Sequence, residues 1–216
     1  MQSALLPMMT PDSLSTLSIA YTYGIRGDLG FLARLATRLK QLRPLLGTPL
    51  LLDLGASCAP NIWHCDATQG RSMVVALDGV GYHALNLSEQ LDETGRHKLE
   101  GIVTAGMVTA RHAWRLHLPP HQDEGIVVAS APLPTLRLCI VCTPAPQTHL
   151  EAGVLTLQAP PAYQLGVVHL SLSPHPALLS QAIYTVPEDT PPDPSIAASL
   201  AFIEDEARDA LRRRSD

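Results

Sequence analysis

Four side chains in this sequence are of types that hold zinc: Cys58, His64 and Cys65 within "SCAPNIWHC", and Cys142 at the end of "LRLCIVC". Thiolate and imidazole groups suit that ion. Two features count against the set. Cys58 to Cys65 is not a standard ligand spacing, and a strand would turn the two sulfurs of "CIVC" to opposite faces. The expectation is therefore free thiols in a reducing compartment, since 4 cysteines are too few for a disulfide scaffold in 216 residues. Zinc on Cys58, His64, Cys65 and Cys142 stands as the alternative. The densest histidine group, His112, His117 and His121 in "RHAWRLHLPPH", reads as surface residues. A strand would split His112 from His117, and Pro119 and Pro120 break any helix. No nucleophile elbow, P-loop or Rossmann glycine pattern is present, so those enzyme classes find no support.

Bulk properties narrow the partners. A net charge of -5 opposes nucleic-acid binding, which needs a concentrated basic face. The basic run at 212–214 falls where a helix C-terminus would favour it anyway. No apolar run approaches the ~20 residues that cross a bilayer. The lead "MQSALLPMMTPDSLST" has no basic residue ahead of its apolar patch, which is unlike a secretory signal, so the expected location is cytoplasmic. Length predicts a single domain over 1–216.

The elements that must position any site follow from periodicity. "LSIAYTYG" (17–24) and "PLLLDLG" (49–55) read as buried strands. Between them Leu32, Leu35, Leu39 and Leu42 recur at helical spacing, with Pro44 as the stop. "RSMVVALDGVG" predicts a helix closed by glycines, and "HALNL" a strand. Further strands are expected at "GIVTAG" (101–106), "GIVVAS" (125–130), "LRLCIVC" (136–142), "GVLTLQA" (153–159) and "LGVVHLSLS" (165–173). The tail gives an amphipathic helix over 194–213, with Asp193 as N-cap, Pro194 at N1, and Ile196, Leu200, Ile203 and Ala207 on one stripe. Packing of that stripe on its own domain is favoured over docking on a partner. Alternating β and α in the first half and mostly β in the second predict an α/β fold, a layered α-β-β-α sandwich of two sheets flanked by helices.

Taken in order, "LSIAYTYGIRGDLGFLARLATRLKQLR", "PLLLDLGAS", "GRSMVVALDGVGYHALNLSEQLD" and "IVTAG" resemble the N-terminal domain of the 5'-nucleotidase branch of the calcineurin-like metallophosphoesterases. "LTLQAPPAYQLGVVHLSLS" and "YTVPEDTPPDPSIAASLAFI" resemble that family's later strands and terminal helix. The resemblance implies a mixed two-sheet domain with two metals at the strand ends, and places the family's ligands on particular residues here. The Asp and His of the first motif fall on Gly24 and Arg26, with Gly27 retained. The bridging Asp falls on Ala56. The Asn, His and Glu of the third motif fall on Ser88, Glu89 and Gln90, and the Asn of the fourth falls on Gly106. A two-metal phosphoesterase needs oxygen and imidazole donors at these places, because the cations jointly activate water and neutralise phosphate. Glycine and alanine offer none, and Arg26 sets a permanent cation where a dication would sit.

The expectation is a non-catalytic relative without cofactor or metal, binding a protein partner or a second copy of itself and not spanning a membrane. Gly24, Arg26, Gly27, Ala56, Ser88, Glu89 and Gly106 would line its former cleft. Two subsidiary readings attach to that cleft: an Arg26–Glu89 ion pair filling the vacated volume, and a phosphate-bearing ligand on Arg26 assisted by N–H groups near Gly27. The enzyme alternative is a diverged phosphoesterase using Asp28, Asp53, Asp66, Asp92 or the histidines.

Overall fold

A computed structural model describes residues 16–88, 91–116, 125–134 and 137–215. Glu89, Gln90, His117, His121 and the N-terminal lead lie outside the described residues.

The first half alternates strand and helix: β1 (Thr16–Thr22), α1 (Leu29–Leu46), β2 (Leu50–Asp53), α2 (Trp63–Thr68), α3 (Arg71–Val80), β3 (Ala84–Asn86), α4 (Glu93–Leu99) and β4 (Gly106–Val108). The second half is mainly strand: β5 (Trp114–Leu116), β6 (Ile126–Ala129), β7 (Leu138–Ala145), β8 (His149–Glu151), β9 (Val154–Gln158), β10 (Gln164–Ser171) and β11 (Ala177–Thr185), closed by α5 (Pro194–Ser215). The strands form two mixed sheets, ordered β11-β10-β1-β2-β3-β4 and β5-β6-β7-β9-β8. β1 to β4 are parallel, so their carboxyl ends, and the loops that follow them, gather on one side.

Period-2 alternation explains why β2 is apolar throughout. Leu50 and Leu52 face a core between the sheets with Ile19 and Tyr21 of β1, while Leu51 and Ala20 face the helices. All five helices contribute to the second core, through residues such as Leu32, Cys65, Leu77, Leu99 and Leu200. The expected layering of two sheets flanked by helices is thus the observed one. Tyr21 reaches across to β10, where a Cβ on Gly166 would lie 2.3 Å from its ring, so only glycine fits there.

Several boundaries differ from the sequence reading. Pro44 sits inside α1, in its last turn, and the helix ends at Gly47, whose N–H reaches Arg43 O at 2.8 Å. A proline this close to the end forfeits one ladder bond without stopping the helix. "GIVTAG" is not a strand, because Asp78 takes its donors. The Asp78 Oδ1 accepts from Thr104 N (2.9 Å), Thr104 Oγ1 (2.8 Å) and Ala105 N (2.8 Å). β4 begins only at Gly106, against which the Trp114 ring is packed too closely for any side chain. β11 shows no apolar alternation because it is an edge strand exposed along most of its length.

α5 starts as the sequence predicts. Asp193 Oδ1 accepts from Ser195 N and Ile196 N, both at 3.1 Å, and Oδ2 pairs with Lys40 of α1. The Lys40 ammonium, followed by the Ile196 N–H, holds this carboxyl below the usual carboxylate range. Leu200 and Ala207 are buried against the domain while Phe202 is 66% exposed. Leu200→Ala is expected to lower stability by about 2–4 kcal/mol in urea denaturation, and Phe202→Ala by less than about 0.5 kcal/mol.

Candidate functional site

The loops after β1 and β2 continue the parallel ladder beyond the strands. Leu54 N donates to Thr22 O (2.8 Å), Gly24 N to Gly55 O (3.0 Å), Arg26 N to Ala56 O (3.1 Å) and Gly27 N to Ser57 O (2.7 Å). Such a turn needs left-handed residues, and Gly24, Arg26, Gly27, Gly55 and Ala56 all have positive φ. Four of the cleft residues expected from sequence are therefore neighbours: Gly24, Arg26, Gly27 and Ala56.

Asn86, at the end of β3, closes the space beside them. Its Nδ2 donates to Leu54 O (3.0 Å) and to Cys142 O in the opposite sheet (3.2 Å). Its Oδ1 accepts from Ser88 N (3.2 Å) and Ser88 Oγ (2.6 Å). Both amide hydrogens and both lone pairs are thereby used. The remaining cavity holds about 80 Å³ and is lined by Tyr23, Gly55, Ala56, Asn86, Ser88 and Thr143 among others. Gly55 is fixed by the same amide: a Cβ there would lie 3.3 Å from Asn86 Nδ2.

Asp53, at the end of β2, is fully buried. Burial raises its pKa from 3.8 to about 7, against the opposing pull of the Ser57 hydroxyl and the Gly55 N–H, which lies 3.1 Å from Oδ2. The Tyr82 hydroxyl, 2.7 Å from Thr22 Oγ1, is pushed up by its own burial and then by the Asp53 charge. Burial also pushes the Cys142 thiol up to about 12. The other carboxylates of the enzyme alternative are engaged elsewhere. Asp28 caps α1 through Phe31 N (2.8 Å), Asp92 caps α4 through Gly95 N (2.6 Å), and Asp66 lies within α2.

The remaining expected site residues do not assemble. Gly106 opens β4 opposite Ala84, at the far end of the strand from Ser88, so it is no part of this cleft. That correction follows from the Asp78-anchored turn, which delays the strand. Cys58 and Cys65 form a disulfide, which overturns their reading as free thiols and removes both from a zinc set. His64 has both ring nitrogens occupied, Nδ1 with Ser72 Oγ and Nε2 with Gly27 O, each at 2.9 Å. Cys142 donates to Ala129 O (3.2 Å) from between the sheets, and Cys139 packs on the outer face of the second sheet, so the two sulfurs do face opposite ways. Among the described residues no three His, Cys, Asp or Glu side chains converge as a metal would require. The described residues therefore do not fit a dinuclear metal centre. His112 sits in an exposed turn with Nδ1 3.2 Å from Thr109 Oγ1. The Arg26–Glu89 pair involves a residue outside those described. The N–H groups that an anion near Gly27 would use are taken: Gly27 by Ser57 O, Asp28 by Ile25 O and Phe31 by the Asp28 carboxylate.

The structure resembles solved nucleotidases. A 5'-nucleotidase precursor from Thermus thermophilus superposes with a TM-score of 0.63 at 13% identity, over 89% of this chain and 59% of the other. The chain carries part of the 5'-nucleotidase fold. The NAD nucleotidase of Haemophilus influenzae matches with a TM-score of 0.57 at 12% identity, over 79% of this chain and 50% of that one. A Staphylococcus aureus protein assigned as a 5'-nucleotidase, in complex with alpha-ketoglutarate, gives 0.54 at 10% identity, over 88% and 58%. The chain thus spans little more than half the length of these proteins. No family model and no curated protein sequence matches it.

Asn86 and its partners were not singled out from sequence. The available signal was an asparagine on an otherwise apolar buried strand, "HALNL", which must be paired to be tolerated there. Asn86→Ala is expected to cost about 2–3 kcal/mol, because Leu54 O and Cys142 O lose their donor. Asn86→Asp should cost more, since it sets an acceptor against two carbonyls. Asp53 gives a pH signature. Its folded-state pKa lies above its unfolded value, so the protonated acid stabilises the fold at low pH. That contribution is lost as pH rises from about 4 through about 7. Asp53→Asn should flatten this part of the stability profile in urea melts recorded from pH 4 to 8 and leave the variant the more stable at pH 8.

Proposed function

We infer that this chain is a non-catalytic module on a nucleotidase frame, acting by binding or as a structural subunit of a protein assembly. The observation that carries the reading is the Asn86 closure. Where the family resemblance puts metal ligands, the described residues present backbone carbonyls, hydroxyls and an amide already bonded to one another. Metal-assisted hydrolysis needs hard donors held open toward a substrate, and the amide and backbone groups bonded here are turned toward one another.

Surface features support a partner of protein type. The edge strand β11 carries Leu179 at 58% and Ile183 at 41% exposure, a ladder edge unpaired among the described residues, with apolar side chains that a protein chain or a second copy could cover. The net charge of -5 remains unfavourable for nucleic acid. No described helix is long and apolar enough to cross a membrane. A Cys58–Cys65 disulfide favours an oxidising compartment over the cytoplasmic placement expected from sequence.

The test is hydrolysis of p-nitrophenyl phosphate and of a nucleoside monophosphate by the purified chain, with manganese, zinc or magnesium supplied. No rate above the metal-only control is expected. Turnover that follows the protein concentration and disappears with a chelator would restore the enzyme reading.

A further inference from the structure

A second cavity opens at the same end of the first sheet, on the β10 side of β1, with Tyr23 as a wall shared with the Asn86 cavity. It holds about 350 Å³, and its walls include Tyr23, Arg26, Phe31, Pro160, Tyr163 and Gln164. That volume suits a small organic molecule.

Two of these residues have backbones that side chains rarely adopt. Arg26 has φ 57° and Tyr163 has φ 59°, in the left-handed region where a Cβ is unfavourable. Each is clamped from a neighbouring element: Arg26 N donates to Ala56 O (3.1 Å), Val186 N donates to Tyr163 O (3.0 Å), and Gln164 N closes a turn onto Pro161 O (3.2 Å). Glycine at either position would be free of this strain, yet a guanidinium and an aromatic ring stand there, both on one cavity. Strained residues of this kind gather at ligand sites.

Chemistry and placement agree. Tyr163 is 50% exposed although its ring is held edge-to-face against buried Phe31, with centroids 5.5 Å apart and planes at 73°. It is a rigid aromatic surface left open to solvent. Arg26 is exposed and pairs with no described carboxylate, and the described lining of the cavity contains no acidic residue. A guanidinium and a fixed ring on the walls of one cavity can together recognise a carboxylate or phosphate attached to a planar body, and the clamped backbone reduces the ordering cost of doing so.

We propose that this cavity binds a small organic anion bearing a planar ring, with the anionic group on Arg26 and the ring against Tyr163. The assignment does not depend on whether the strand-end cavity is catalytic, and it needs no metal.

Calorimetric titration with phenyl phosphate, benzoate and inorganic phosphate tests it. At least one ring-bearing anion should bind saturably, about tenfold or more tighter than inorganic phosphate, because the ring contributes its own contact. Which of the two binds distinguishes phosphate from carboxylate recognition. Arg26→Gly and Tyr163→Gly should each weaken that binding by about tenfold or more. Glycine relieves the positive φ, so Arg26→Gly, at an exposed side chain, should keep the wild-type melting temperature or exceed it by about 2–4 °C, which separates loss of binding from loss of fold, whereas Tyr163→Gly also loses the Phe31 contact and should melt no higher than wild type. The proposal is overturned if neither ring-bearing anion binds more tightly than inorganic phosphate, or if both glycine variants bind as the wild type does.

Discussion

The carboxamide of Asn86 joins three parts of the molecule: the end of β3 that carries it, the loop after β2 through Leu54 O, and the second sheet through Cys142 O. In a two-sheet sandwich the strand ends are where backbone polar groups lose their ladder partners, and each must find another or meet water. Here they find one another. The loops after β1 and β2 pair through Gly24, Arg26 and Gly27, and the amide bonds across the gap between the sheets. Gly55, at φ 109° and with the amide 3.3 Å from where its Cβ would stand, is held as glycine, and the Ser88 hydroxyl donates to Asn86 Oδ1. A site that gave its donors to a metal or substrate could not also use them in this way.

Much of the frame was legible from sequence because it rests on short-range periodicity. The continuous run "PLLLDLG" marked a strand covered on both faces, and it is. Asp193 and Pro194 marked the start of α5, whose Leu200 stripe packs on its own domain as favoured. What escaped depended on contacts distant along the chain. "GIVTAG" has strand composition, but Asp78 takes its N–H groups from a helix 26 residues earlier. Pro44 looked like a stop because a proline's cost depends on how much helix follows it. β11 carried no alternating pattern because neither face is fully covered.

The candidate site was legible in outline and misread in part. The resemblance brought Gly24, Arg26, Gly27, Ala56 and Ser88 to one end of the sheet, where they are found. It could not place Gly106, whose position depends on where β4 begins. Cysteine spacing alone could not announce the Cys58–Cys65 bridge. That pairing follows from α2 turning the chain back, so that the two Cα atoms come within 5.9 Å. The loop so formed lies against Gly27, where a Cβ would meet Ile62 at 2.7 Å, and His64 bonds Gly27 O from the same segment. The disulfide loop therefore braces the turn after β1 and the Asn86 amide braces the loop after β2, and these two loops are paired with each other.

The central proposal is that these strand ends are closed by the protein's own groups and hold no metal pair. Elemental analysis of chain purified without chelators and dialysed after exposure to manganese and zinc tests it most directly. The account predicts less than about a tenth of a metal ion per chain, since two cations would need several free hard donors. About two ions per chain, retained through dialysis, would contradict it.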